Sequence, residues 1–267
     1  MPLLARLGLA VLVLIAPACR PDDLALRYQF AGDAFRTYRL TADADAFWDI
    51  GTPGTGSYSV TFRVSERVIS TDEAGAVVAV TMQPVEVTEN GLPSPGSEDR
   101  SFTLRVGPNG EVREVIQVDG VPATALGHDE LAFIGTYRPP LPLDRVELHE
   151  TWRARQEVTL KVLSQELQTE GRLLGLRRED NRLAELGYEG EGPLTWETTL
   201  PQGEAKLTGT TTTEGRALLD VDEGYLRSAS STTSGDFDVR VSPTTGNVPI
   251  TGTLHLDLEL RLERVSS

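Results

Sequence analysis

The sequence has very little of the residues that carry most enzyme chemistry: one cysteine and three histidines among 267 residues. One thiol cannot form an internal disulfide, and no Cys/His cluster has the spacing of a zinc site. No histidine stands beside a nucleophile or metalloprotease motif such as G-x-S-x-G, S-x-x-K or H-E-x-x-H. The sequence therefore assigns no catalytic residue, no metal ligand and no cofactor, and it predicts a protein that binds rather than catalyses.

Positive charge is also scarce. The chain has 25 Lys and Arg against 40 Asp and Glu, a formal net charge of −15. A basic patch that replaces the counterions of phosphates is not available, so nucleic acid is excluded as a partner. The same balance argues against electrostatic docking on an anionic lipid surface.

The N terminus carries a short apolar run. Residues 7–15 (LGLAVLVLI) follow Arg6, which is typical of a signal peptide, and the run is too short to span a bilayer stably. The run leads into residues 15–19 (IAPAC), which resemble the bacterial lipobox, with Ala16 where leucine is usual. Two interpretations stay open: a lipid anchor on Cys19, or ordinary cleavage after Ala18. Both predict export. The first also anchors the protein to a membrane of the cell envelope and makes 1–18 the signal peptide and 19–23 a lipidated tether.

From residue 24 onward, apolar and polar residues alternate with a period of two, which predicts β-strands. The last strand alternates five leucines with polar residues, and Asn109-Gly110 predicts a hairpin turn. We expect one mainly β domain over 24–267, a large curved antiparallel sheet. Its pseudo-repeated halves, about 24–122 and 146–265, are joined by a crossing at 123–145 that contains a short helix at 129–137 and a Pro-rich segment. Locally, the pattern predicts a strand at 24–30 and a loop at 43–56.

Two segments resemble motifs of a family of uncharacterised secreted bacterial lipoproteins: GDAFRTYR at 32–39 and PPLPLDRVELHETW at 139–152. At 149–150 this chain has His-Glu where the family usually has Gly-Asp. The resemblance implies the half-barrel fold of the periplasmic lipoprotein carriers LolA and LolB, with a short helix near the concave side. It carries over no catalytic residue.

Three hypotheses on function follow. The first is a membrane-anchored lipoprotein that binds a lipid or acyl chain on the concave face of the sheet, and the second is an adaptor that binds another envelope protein. The third is an enzyme with an unrecognised site. For the first hypothesis, aromatic side chains near the Pro-rich crossing are the candidate cavity lining, with core packing as the alternative for each: Phe133, Tyr137, Trp152 and Trp196.

Overall fold

A computed structural model describes residues 23–32, 34–95, 98–125, 138–159, 163–200, 203–243 and 248–265. The predicted signal peptide, Cys19 and the predicted helix at 129–137, with Phe133 and Tyr137, lie outside the described residues. In the part of the chain that is described, helical structure is confined to one 3-10 turn at Ala123–Ala125.

Thirteen strands make up the fold. They are β1 (Phe35–Asp49), β2 (Pro53–Asp72), β3 (Gly75–Glu89), β4 (Leu92–Pro93), β5 (Arg100–Val106), β6 (Val112–Val118), β7 (Val121–Pro122), β8 (Thr151–Thr159), β9 (Leu163–Arg178), β10 (Arg182–Leu200), β11 (Gly203–Asp220), β12 (Tyr225–Pro243) and β13 (Ile250–Arg264). All pairings are antiparallel, so the predicted fold class is confirmed: one large curved sheet that does not close into a barrel.

The order of the strands is simple. From one edge the sheet runs β8 to β13 in sequence, then β1, β2, β3, β5, β6 and β7, with β4 paired to β3 alone. The two halves of the chain therefore follow each other in the same direction along the sheet and meet at the β1–β13 ladder. Near the free edges, β6 and β8 approach each other without pairing. This order is compatible with the pseudo-repeat, which stays a prediction.

Successive side chains of each strand point to opposite faces of the sheet, so every second side chain lies on the concave face and the others face water. On β13 the leucines at even positions face inward, but they are not buried equally. Leu260 and Leu262 lie in the main core, whereas Leu254, Leu256 and Leu258 are only half-buried. The concave face is therefore well covered at one end of the long strands and less covered toward the other.

Two segments cover the well-packed end. Residues 23–32 cross it with Leu24 and Tyr28 buried, and Leu24 forms a single antiparallel bridge with Val146. Residues 138–146, which we call the strap, cross it a second time. Four consecutive strap residues each contact a different part of the chain. The Arg138 guanidinium pairs with the Glu66 carboxylate of β2, and the Tyr28 hydroxyl donates to the Pro139 carbonyl at 3.0 Å. The Trp152 indole of β8 donates to the Pro140 carbonyl at 3.0 Å, and the Leu141 amide donates to the Asn109 carbonyl at 2.7 Å.

Two local predictions are wrong. Residues 24–30 do not form a strand of the sheet, although Leu24, Leu26 and Tyr28 are buried, because an extended segment lying across a core shows the same period of two. Residues 43–56 are not a loop, since β1 runs to Asp49 and β2 begins at Pro53. Glycines in this hairpin make room for an aromatic ring: a Cβ at Gly54 would lie 2.6 Å from the Trp48 ring.

Candidate ligand-binding site

A cavity of about 280 Å³ lies on the concave face, between the strap and strands β8–β13. Arg138, Pro139 and Pro140 bound it at the strap end. Trp196 lies on its wall, packed against a second apolar cluster that includes Leu207 and Val239. Leucines from β9, β10 and β13 supply much of the apolar surface: Leu163, Leu167, Leu194, Leu256, Leu258 and Leu260.

Of the two predicted lining residues that the structure describes, only Trp196 contacts this cavity. Trp152 is 9% exposed, belongs to the main core and donates its indole N–H to Pro140. Its ring covers Gly171 on the neighbouring strand, where an added Cβ would lie 2.2 Å from the ring. Trp152 therefore acts on the cavity indirectly, by fixing the strap.

Polarity changes along the cavity from row to row. Near the strap, one cross-strand row contains Thr169, Gly190, Thr213, Thr233 and Leu258, each paired in register with the next. Farther along, a second row contains Leu163, Trp196, Leu207 and Val239. We call them the Thr169 row and the Trp196 row. They are six residues apart along β9, or roughly 20 Å at 3.3 Å per residue. The cavity wall thus carries threonines near the strap and Leu163 and Trp196 at the far end, with Gln156 and Gln165 between the two rows.

Most hydroxyls in the polar part already have partners. Thr213 and Thr233 share a hydrogen bond of 2.8 Å between their Oγ1 atoms, and Thr211 donates to the Gly192 carbonyl at 3.3 Å. Two buried polar atoms of the lining residues have no partner in the described part of the chain, Thr169 Oγ1 and Trp196 Nε1. Buried polar groups are nearly always hydrogen-bonded, so these two atoms are the unsatisfied polar groups of the described cavity wall.

Ionisable groups are few around the cavity. Among its described lining residues, Arg138 is the one charged side chain, and it is paired with Glu66. Burial raises the pKa of Tyr188, whose hydroxyl donates to the Ser230 carbonyl at 3.4 Å, so the phenol is neutral at physiological pH. The wall offers apolar contact and uncharged hydrogen-bonding groups.

The histidines lie elsewhere. His255 is on the outer face, with Nδ1 2.8 Å from Asp236 and Nε2 3.2 Å from Asp257, and the hydrogen bond to Asp236 is the main reason that its pKa is raised. His149 occupies a turn at φ +69°, in the region that favours glycine, and His128 is outside the described residues. The described residues contain no group of three or more His, Cys, Asp or Glu side chains placed to hold a metal ion.

Three acidic residues, Asp220, Asp222 and Glu223, lie close together at the turn between β11 and β12, where hydrogen bonds hold them. Asp220 is fully buried, and it accepts hydrogen bonds from Asn181, Arg227 and the Glu223 amide. Burial by itself raises the pKa of Asp220, but these hydrogen bonds outweigh it and lower the pKa overall. This carboxylate ties the β11–β12 turn to the β9–β10 turn.

Sequence reasoning missed Thr169, Gln156 and the Glu66–Arg138 pair. A signal for Thr169 and Gln156 was present, because both are polar residues at the inward positions of alternating strands. No spacing in the sequence relates Glu66 to Arg138, whose pairing depends on the path of the strap.

No family model matches the chain, and no curated protein matches it significantly. The resemblance to secreted lipoproteins and to the LolA and LolB carriers therefore stays a prediction. The described residues contain no helix that is long and apolar enough to cross a membrane.

Proposed function

We propose that this protein is an exported lipoprotein, anchored to a membrane of the cell envelope through Cys19, that binds an acyl chain on the concave face of its sheet. The observation that carries the binding proposal is the cavity beneath the strap. Its volume of about 280 Å³ lies near the lower limit of ligand pockets, about 300 Å³. Such a volume suits one slender apolar chain better than a bulky ring system.

The incomplete cover of the concave face supports the same role. A sheet with one apolar face has to bury that face against another layer. Here the strap and residues 23–32 pack on one end, while Leu254, Leu256 and Leu258 remain half-buried. An apolar ligand lying along β13 would remove this surface from water, which stabilises the complex by about 25 cal/mol per Å² of apolar area.

Lipid extracted from the natively purified full-length chain and identified by mass spectrometry tests the binding proposal. Thr213→Glu places a carboxylate in the cavity wall, and Thr212→Glu places the same charge one residue away on the outer face. We expect Thr213→Glu to lose the bound lipid and Thr212→Glu to keep it, because a buried unpaired carboxylate is costly against a hydrocarbon chain. Equal lipid content in both folded variants would favour the adaptor hypothesis instead.

The anchor is tested separately. If Cys19 carries the lipid, Cys19→Ser should release the protein from membranes or leave it unprocessed. Fractionation of cells that express each form provides the measurement. A mature Cys19→Ser protein that still sediments with membranes would contradict the anchor, while leaving the cavity proposal intact.

A further inference from the structure

Thr169 is the most deeply buried polar side chain on the cavity wall without a hydrogen-bond partner. The residue is 3% exposed, and its Oγ1 has no partner in the described part of the chain. The hydroxyl lies beside Gly190 on the next strand. A Cβ at Gly190 would stand 3.2 Å from Thr169 Oγ1 and 3.2 Å from Leu167 Cγ, so the missing side chain makes room for both groups. A hydroxyl donates one hydrogen bond and accepts others, and leaving it unsatisfied costs about 1–3 kcal/mol.

From this geometry we infer that the cavity selects an acyl chain with an uncharged carbonyl oxygen, as in an ester or amide, and that this oxygen accepts a hydrogen bond from Thr169. The inference rests on the proposed lipid-binding function and specifies the chemical class of its ligand. The tail runs from the Thr169 row toward Leu163 and Trp196, which supply apolar surface at the far end of the cavity.

The charges around the cavity decide against a free carboxylate. A fatty acid is ionised at neutral pH, and a buried anion needs a cation or several donors. Arg138 is the one cation among the described lining residues, and the carboxylate of Glu66 already pairs with it. An ester or amide carbonyl needs only the neutral donor that Thr169 supplies.

A competition experiment tests the inference with three probes of equal chain length: 1-monopalmitoylglycerol, palmitate at pH 8 and hexadecane. The full-length chain, purified in detergent and stripped of lipid, is incubated with pairs of probes, and bound probe is quantified by mass spectrometry. We expect the ester to be preferred over the hydrocarbon by about two- to tenfold, the value of one neutral hydrogen bond. We also expect it to be preferred over ionised palmitate.

Thr169→Val removes the hydroxyl at almost constant shape and should bring the ester-to-hydrocarbon ratio close to one. Thr169→Ser keeps the hydroxyl and should retain the preference, and it also serves if the valine variant folds poorly. Trp196→Phe removes the second unpartnered donor, and the preference should survive it.

Unchanged selectivity in Thr169→Val, or its loss in Trp196→Phe alone, would overturn the assignment of the carbonyl to Thr169. A preference for ionised palmitate would overturn the uncharged class. Equal binding of all three probes would overturn the inference and leave the proposed function standing. Binding of none would overturn the proposed function itself.

Discussion

The ion pair between Glu66 and Arg138 gives the most direct test of how the strap is held. The Glu66 side chain is 4% exposed and the Arg138 side chain 10% exposed. Glu66→Gln keeps the shape but removes the carboxylate charge that faces the buried Arg138 guanidinium. Breaking a buried pair in this way costs about 3–5 kcal/mol. Because a whole domain is stable by only about 5–15 kcal/mol, we expect a large fall in the midpoint of equilibrium urea unfolding.

A double variant separates the pair from its surroundings. Replacing both residues with methionine, Glu66→Met with Arg138→Met, removes both charges, and we expect stability to recover to within about 1 kcal/mol of the wild type or to exceed it. The exposed pair Arg153–Glu170, with side chains 88% and 41% exposed, provides the control. Glu170→Gln should cost less than about 1 kcal/mol. If Glu66→Gln costs no more than this control, or if the double variant costs the sum of its two single changes, the strap is not held by this ion pair.

Three further changes have defined outcomes. Asp220→Asn should lower the free energy of unfolding by about 1–3 kcal/mol at pH 7. Because folding lowers the pKa of Asp220, the difference in unfolding free energy between wild type and variant should shrink as the pH falls below about 4. Urea unfolding at a series of pH values measures it, and a difference that does not change with pH would contradict the prediction. Gly171→Ala should lower the thermal midpoint by driving a Cβ into the Trp152 ring, at a cost of about 1–3 kcal/mol. His149→Gly should change stability by no more than about 1 kcal/mol, in the stabilising direction, because φ +69° suits glycine; clear destabilisation by denaturant titration would show that the imidazole makes a compensating contact.

Period-two alternation was sufficient to predict an antiparallel sheet, and the Asn109-Gly110 hairpin lies between β5 and β6 with Gly110 at φ +86°. Alternation reports only that every second side chain is buried, whether against a neighbouring strand or against a core that the segment crosses. The alternation at residues 24–30 therefore predicts a strand, although this segment crosses the core without joining the sheet. The prediction of a loop at 43–56 failed because its glycines accommodate the Trp48 ring instead of breaking the ladder.

The candidate site was less predictable than the fold. The sequence predicts both Trp196 and Trp152 as cavity-lining aromatic residues, yet Trp196 alone lines the cavity and Trp152 is a core residue that fixes the strap. Only the long-range path of the strap, which brings Pro139 to Tyr28 and Arg138 to Glu66, decides which concave surface stays open. No local pattern encodes that path.

The β1–β13 ladder has a consequence for how the cavity beneath the strap forms during folding. Tyr38 pairs with Arg264, so the middle of the sheet is made from opposite ends of the sequence. Neighbouring hairpins can form early, but pairings of such sequence separation form slowly, because the entropy of closing a long loop is lost first. During synthesis, the leucines of β13 that line the cavity are the last part of its described wall to emerge. The cavity wall is therefore complete only once β13 has joined the sheet, and the proposed lipid binding requires that step.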